Sequence, residues 1–392
     1  MNERIGVTVL SGYLGSGKTT LLNHLLTSKH GERIAVIVND MSEVNIDGKL
    51  IKQGGFTRTD ERLVEMQNGC ICCTLREDLL LEVKKLAEDG EIDHILIESS
   101  GISEPVPVAQ TFTYLDEETG IDLAAICKIN AMVTVVDANR FWHDYGSGET
   151  LVDRHIGRDD HDDREIADLL IDQIEFANII ILNKIDLVPA HSVFELQQVL
   201  KRLNPDAAIH PTQFSKLSLE HIWNKNVFNL DEASQAAGWI KELQEEHIPE
   251  TEEYGISSIV YKKARPFHPE RFMKWLENWP SVIVRAKGFF WLATRNDEIG
   301  LLSQAGSSVS IQGAGEWIAC LPDKERKAVL AEEPEVQGSW DETWGDRQTE
   351  LVFIGLNMDK QAIQSGLDDC LLTDQEMRGD WQTFQDPLPL YT

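Results

Sequence analysis

Cysteine is scarce in this sequence, with six thiols in 392 residues. Long apolar runs are missing too: none approaches the roughly 20 residues that cross a bilayer, so no membrane partner is expected. The start, "MNERIGVTVLSGY", leads directly into a strand-like segment and lacks the pattern of a cleavable leader, which predicts a cytoplasmic protein. In a reducing compartment cysteines more often serve as metal ligands or reactive thiols than as disulfides. Positive charge is also short. Against 66 Asp and Glu stand 36 Lys and Arg, a formal net charge of -30, and such a surface repels a polyphosphate backbone. Nucleic acid is therefore not expected as a partner.

What is present is an ordinary globular composition, 42% hydrophobic and 26% charged, in a chain long enough for about two domains. Candidate strands at Ile5 to Leu10, Ile34 to Val38, Leu63 to Met66, His94 to Ile97, Ala131 to Val136 and Ile179 to Leu182 alternate with stretches of helical length. That alternation predicts an α/β fold with a mainly parallel sheet covered on both faces. The expected organisation is a P-loop domain over 1–229, a polar linking helix over 230–254 and a smaller α+β domain over 255–392. In the last part, strands are expected at 255–261, 287–293, 309–312 and 350–355, with helices at 269–276 and 360–369. That order suggests a ferredoxin-like, split βαβ arrangement with a helix and loop inserted over 322–349.

"GYLGSGKT", Gly12 to Thr19, fits G-x-x-x-x-G-K-[ST], follows an apolar strand and opens the helical run "TTLLNHLL". Such glycines, with Ser16 among them, let backbone amides turn inward on phosphates. Lys18 can neutralise the β and γ oxygens, Thr19 is placed for Mg²⁺, and Thr20 continues the helix start. "NKID", Asn183 to Asp186, follows the apolar strand "NIIIL"; the Asp186 carboxylate can accept two hydrogen bonds from guanine, a donor pair adenine lacks. "HILIESSG" ends a buried strand in Glu98 and then Gly101. Glu98 can hold Mg²⁺ through water or orient an attacking water, and the Gly101 amide can meet a γ-phosphate. Asp137 ends "VTVVD" in a similar way and is read equally well as a strand terminus.

Three of the six thiols, Cys70, Cys72 and Cys73, fall in "QNGCICCTLR". Thr74 and Glu77 form a capping box, and Leu75, Leu79, Val83 and Leu86 then recur at helical spacing. The thiols thus precede a helix N-terminus, which favours the thiolate that binds soft metals. Zn²⁺ or Cu(I) suits three converging sulfurs better than cobalt or nickel, and three ligands leave an open position. Burial as small hydrophobes would account for one or two of them, and a catalytic thiol lacks a histidine partner nearby.

Taken in order, "GYLGSGKTT", "NDMSEVNID", "NGCICC", "ESSG" and "NKID" resemble the CobW-type metallochaperone GTPases, and "RAKGFFWLA" and "GDRQTELVFIG" resemble the family's carboxyl-terminal domain. The resemblance implies GTP hydrolysis with Mg²⁺, with Lys18 and Glu98 catalytic. Gly12, Gly15, Ser16, Gly17, Lys18, Thr19, Thr20, Gly101, Asn183, Lys184 and Asp186 would then bind nucleotide. Zn²⁺ would sit on Cys70, Cys72 and Cys73, and metal would pass to a client metalloprotein, a zinc-dependent enzyme. The zinc-linked subgroup is the expected branch.

Two departures stand out. Where many members read N-E-F-G-E, Asn39 to Glu43 read N-D-M-S-E, so Asp40 is one methylene short as a further zinc ligand beside Glu43. A histidine-rich run is also missing: only His247 and "DDHDD" around His161 are available, and the latter reads as a solvated acidic loop.

The expected mechanism has GTP order residues 39–47 and bring Asp40 or Glu43 to the thiolates, with hydrolysis releasing them. No arginine finger is evident, so slow turnover accelerated by a partner is expected. Competing readings are a zinc-responsive regulatory GTPase that transfers no metal, a cobalt or nickel insertion chaperone, and a small-molecule kinase on the same phosphate loop. Monomer and homodimer fit equally.

Overall fold

A computed structural model describes residues 4–27, 33–40, 61–67, 76–88, 92–113, 120–157, 162–223, 226–244, 255–332, 334–338 and 340–391. They fall into two compact units parting between Gly238 and Trp239, inside the stretch read as a linking helix. Two short helices are described in that stretch, Leu230–Ser234 and Gly238–Gln244.

The first unit is built on seven strands: β1 (Ile5–Ser11), β2 (Ile34–Asp40), β3 (Glu61–Gln67), β4 (His94–Glu98), β5 (Cys127–Asp137), β6 (Ile179–Asn183) and β7 (Ala208–Pro211). Their order is β3-β2-β4-β1-β5-β6-β7 and every pairing is parallel. Alternate residues reach opposite faces. Val7, Val9, Ala35, Ile37, Ile95 and Ile97 join one apolar cluster with Leu79, Leu80, Val83 and Leu86 of α2 (Arg76–Glu88) and Val108 of α3 (Pro105–Thr111). Leu10, Ile34, Val36, Val38 and Leu96 join the other with Leu21, Leu22 and Leu25 of α1 (Lys18–Thr27). Burial on both sides explains why these strands read as continuous Val, Ile and Leu runs. The unit also holds helices α4 (Ile166–Glu175) and α5 (Ala190–Leu203) and the short helix Phe141–Tyr145. β7 escaped sequence reading because its four residues, "AIHP", sit at the sheet edge and none of them is buried.

The second unit holds a five-stranded sheet, β11-β10-β9-β12-β8, formed by β8 (Ile256–Lys263), β9 (Ile283–Phe290), β10 (Glu298–Ala305), β11 (Ser308–Glu316) and β12 (Thr349–Leu356), with every neighbouring pair antiparallel. β8 and β9 therefore run parallel with β12 between them, joined by α6 (Pro269–Glu277), which is a split βαβ unit. Phe272 and Leu276 of α6 and Ile363 and Leu367 of α7 (Lys360–Asp368) cover one face. Between β11 and β12 lie the helices Asp323–Glu332 and Pro334–Gly338, the insertion expected over 322–349.

Candidate functional site

Because the seven strands are parallel, their carboxyl ends share one rim, and four of the sequence motifs leave the sheet there. β1 runs into the glycine loop, β4 ends in Glu98, β5 in Asp137 and β6 in Asn183.

The glycine loop turns tightly, with Gly12, Gly15 and Gly17 at φ of 133°, 75° and 116°. Lys18 opens α1 and folds back, its Nζ donating to Gly12 O at 2.9 Å and Tyr13 O at 3.4 Å, with only 6% of the residue exposed. Buried and held by carbonyls, the ammonium is aimed into the loop, where phosphate oxygens are its natural replacement partners. The Ser16 hydroxyl is buried and has no hydrogen-bond partner among the described residues, an orphan that a bound group inside the loop would satisfy.

Thr19 Oγ1 donates to Glu98 Oε1 at 2.8 Å, so the two residues read as Mg²⁺ candidates are in contact; Glu98 is 1% exposed. A hydroxyl and a carboxylate are hard oxygen donors, the set that suits Mg²⁺. Beyond Glu98 the loop passes directly over the glycine loop: a Cβ on Gly101 would lie 2.6 Å from Leu14 Cδ2 and 2.8 Å from Leu14 N. Only a glycine allows that approach.

The base-side motif is wired to the same loop. Asn183 Nδ2 donates to Ser16 O at 2.9 Å, and its Oδ1 accepts from Ser215 N at 2.8 Å and Thr212 Oγ1 at 3.2 Å. Lys184, at φ 61°, donates through Nζ to Gly15 O at 2.7 Å and to Asp137 Oδ2 at 2.6 Å. Asp186, in the short turn that follows, is exposed.

A sequence model described as "CobW/HypB/UreG, nucleotide-binding domain" matches residues 6–211. The chain belongs to this family. A second model, "Cobalamin synthesis protein cobW C-terminal domain", matches residues 256–371. The protein is accordingly a P-loop GTPase of the CobW/HypB/UreG family. Among its relatives, zinc-regulated GTPase metalloprotein activator 1 of Dictyostelium discoideum is 47% identical over 403 residues, covering 99% of this chain and 85% of that protein. Zinc chaperone CobW of Pseudomonas aeruginosa is 36% identical over 198 residues, 48% of this chain and 51% of its own length. The Schizosaccharomyces pombe protein that carries the same name as the Dictyostelium one is 26% identical over 388 residues, 91% of this chain and 83% of that protein.

Of the metal candidates in this CobW-family GTPase, Cys70, Cys72, Cys73 and Glu43 lie outside the described residues, as do Thr74 and His161; Asp40 ends β2, its side chain outside the described part. The other three cysteines are unpaired thiols. Burial pushes Cys127 and Cys370 up to about 12, and burial with a hydrogen bond to Asp297 pushes Cys320 up to about 11. They stay protonated, which is the wrong form for a metal ligand. Among the described residues no group of three or more His, Cys, Asp or Glu could hold a metal ion, and no helix is long and apolar enough to cross a membrane.

Sequence reasoning missed several neighbours of the glycine loop. Arg154 Nη1 donates to the Tyr13 hydroxyl at 3.3 Å and to Asp144 Oδ1 at 2.8 Å, and its Nε bonds Glu149. Burial works to raise Asp144, but the Arg154 guanidinium, helped by Arg140 and His143, brings it below the usual carboxylate range. Ser215 Oγ donates to Gly17 O at 3.1 Å. None of these had a local sequence signal.

Proposed function

We propose that this GTPase is a metallochaperone that holds zinc at Cys70, Cys72 and Cys73 and passes it to a client metalloprotein under the control of GTP and GDP. The observation that carries the reading is topological. β3, β2, β4 and β1 are successive parallel neighbours, so the chain that runs from Gln67 through the three cysteines to Arg76 leaves by the same rim as the phosphate loop. The names of the Dictyostelium and Pseudomonas relatives, both of which mention zinc, support the choice of cargo.

In this reading the amides of the glycine loop and the Lys18 ammonium take the β- and γ-phosphates, Lys18 exchanging its two carbonyl partners for phosphate oxygens. Thr19 and Glu98 would hold Mg²⁺, which when bound neutralises charge on the phosphates. Glu98 also stands where a carboxylate can orient the attacking water. The Gly101 amide reads the γ-phosphate, and Asp186 selects guanine. Asp40 or Glu43 completes the zinc site only while GTP is present, so hydrolysis lowers the affinity for zinc and frees it for the client.

The test is zinc affinity of the purified protein with GDP and with a non-hydrolysable GTP analogue, for the natural chain and Cys72→Ala. Tighter zinc binding in the GTP state, weakened by Cys72→Ala in both states, is expected. Equal affinity in the two nucleotide states overturns the coupling, because a ligand without differential affinity shifts no equilibrium. Zinc delivered to an apo client only when GTP is supplied separates a chaperone from a regulator that keeps its metal.

A further inference from the structure

The loop after β4 is fixed from several sides. Every residue from Glu98 to Ser103 is buried. Ser99 donates to Leu10 O through both its N–H, at 3.0 Å, and its hydroxyl, at 3.1 Å. Ser103 N–H closes a turn on Ser100 O at 3.1 Å, and the hydroxyls of the two serines lie 2.7 Å apart. Three consecutive carbonyls are then gripped by side chains: Gln173 Nε2 donates to Gly101 O at 3.4 Å and Ser103 O at 3.1 Å, and Arg164 Nη1 donates to Ile102 O at 3.3 Å. Both gripping residues are anchored. The Gln173 backbone carbonyl accepts from Thr134 Oγ1 at 2.7 Å, which ties α4 to β5. Arg164 forks onto the buried Asp162 at 2.7 and 2.8 Å and also bonds Glu104 at 2.7 Å. Asp162 is the fourth residue of "DDHDD" and is a buried anchor, whereas the Asp163 that follows it is exposed.

Holding a carbonyl also sets the direction of the N–H across the same planar peptide group. The bond on Ser100 O orients the Gly101 N–H, and the bond on Gly101 O orients the Ile102 N–H. The Gly101 N–H itself meets no acceptor among the described residues. Gln173 is 1% exposed and its Oε1 has no partner among the described residues. A leucine would pack on that apolar helix face but would leave Gly101 O and Ser103 O without this donor, so packing alone does not account for a glutamine there.

We infer that Gln173 and Arg164 are positioning residues that hold 98–104 so that the Gly101 N–H is presented to the γ-phosphate. The inference rests on the proposed reading that GTP binds at this rim with its γ-phosphate at Gly101.

The experiment follows hydrogen–deuterium exchange of peptides covering 98–104, with GDP and with a non-hydrolysable GTP analogue, alongside GTP turnover, in the natural chain, Gln173→Met and Arg164→Lys. Methionine keeps the volume of Gln173 and removes its donors; lysine keeps the charge of Arg164 and loses the fork. In the natural chain, exchange at 98–104 is expected to be slow with GDP and slower with the GTP analogue, whose γ-phosphate covers the Gly101 N–H. Either variant should speed exchange there and lower kcat by on the order of 10- to 100-fold, with GDP affinity nearly unchanged. A natural chain that binds GTP but exchanges 98–104 no more slowly with the analogue than with GDP overturns the inference, as do two folded variants with natural kcat. A natural chain that binds no GTP at all overturns the proposed function beneath it, and the same titration reports that separately.

Discussion

Gly17 is where the phosphate loop and the base-side loop touch. Its φ is 116°, and a Cβ there would lie 2.4 Å from Asn183 Nδ2 and 2.9 Å from Ser215 Oγ. Alanine would force a rare backbone conformation, at a cost of about 1–3 kcal/mol, and would also displace Asn183 from Ser16. Gly17→Ala is expected to weaken guanine-nucleotide binding by roughly 10- to 100-fold, read by titration with a fluorescent GDP analogue; natural affinity would mean that the loop tolerates a moved Asn183. The glycines, Lys18 and Thr19 were legible in the sequence because a phosphate loop needs particular backbone geometry at fixed spacing, and spacing survives as a pattern. The partners of Asn183 were not: Thr212 and Ser215 follow it by 29 and 32 residues and meet it only because β7 pairs with β6. Gln173 left a fainter mark, a polar residue among Leu169, Leu170 and Ile174 on the buried side of α4.

At the scale of elements, strands buried on both faces were easy to read and the second unit was harder. The expected strand at 287–293 lies at 283–290 instead. Its start was hidden by Arg285, a charged residue 1% exposed that donates to Ser303 Oγ and Gln304 O. Its expected end, Trp291 to Ala293, is apolar and buried but leaves the sheet to bond Phe267. β10 was missed because Gly300 and adjacent Leu301 and Leu302 break a period of two. His268 lies just before α6, 7% exposed, with its ring 4.5 Å from that of Phe384. Burial, with the positive charge of Arg271, lowers its pKa below the ordinary value. An unfolded chain takes up the proton as pH falls through about 6.5, whereas the folded unit resists until lower pH, so stability is intact above that window and declines through it. Glu376, whose hydrogen bond from Arg271 holds it at about 2, loses its contribution only below about 4.3 and does not overlap. Thermal unfolding followed between pH 7 and 5 is expected to lose stability faster in the natural chain than in His268→Gln. Equal slopes would assign the loss to other groups.

For the whole molecule the formal charge of -30 sets a general repulsion that favours expansion. Raising ionic strength from about 10 mM to about 150 mM shortens the screening length from roughly 30 Å to roughly 8 Å. The unfolding temperature measured by calorimetry should therefore rise by a few degrees with sodium chloride over that range; a flat or falling response would mean that local ion pairs such as Arg154 with Asp144 outweigh the net charge. The strand order has a different consequence, for synthesis. β1 emerges first but sits in the middle of the sheet, with β4 on one side and β5 on the other. A nascent chain stopped short of residue 127 leaves one edge of β1 bare, and bare edges invite foreign strands. The phosphate loop is made before β5, yet its scaffold closes only when β5 arrives. GTP can thus assist the folding of this unit only after residue 137 has been made, and not before.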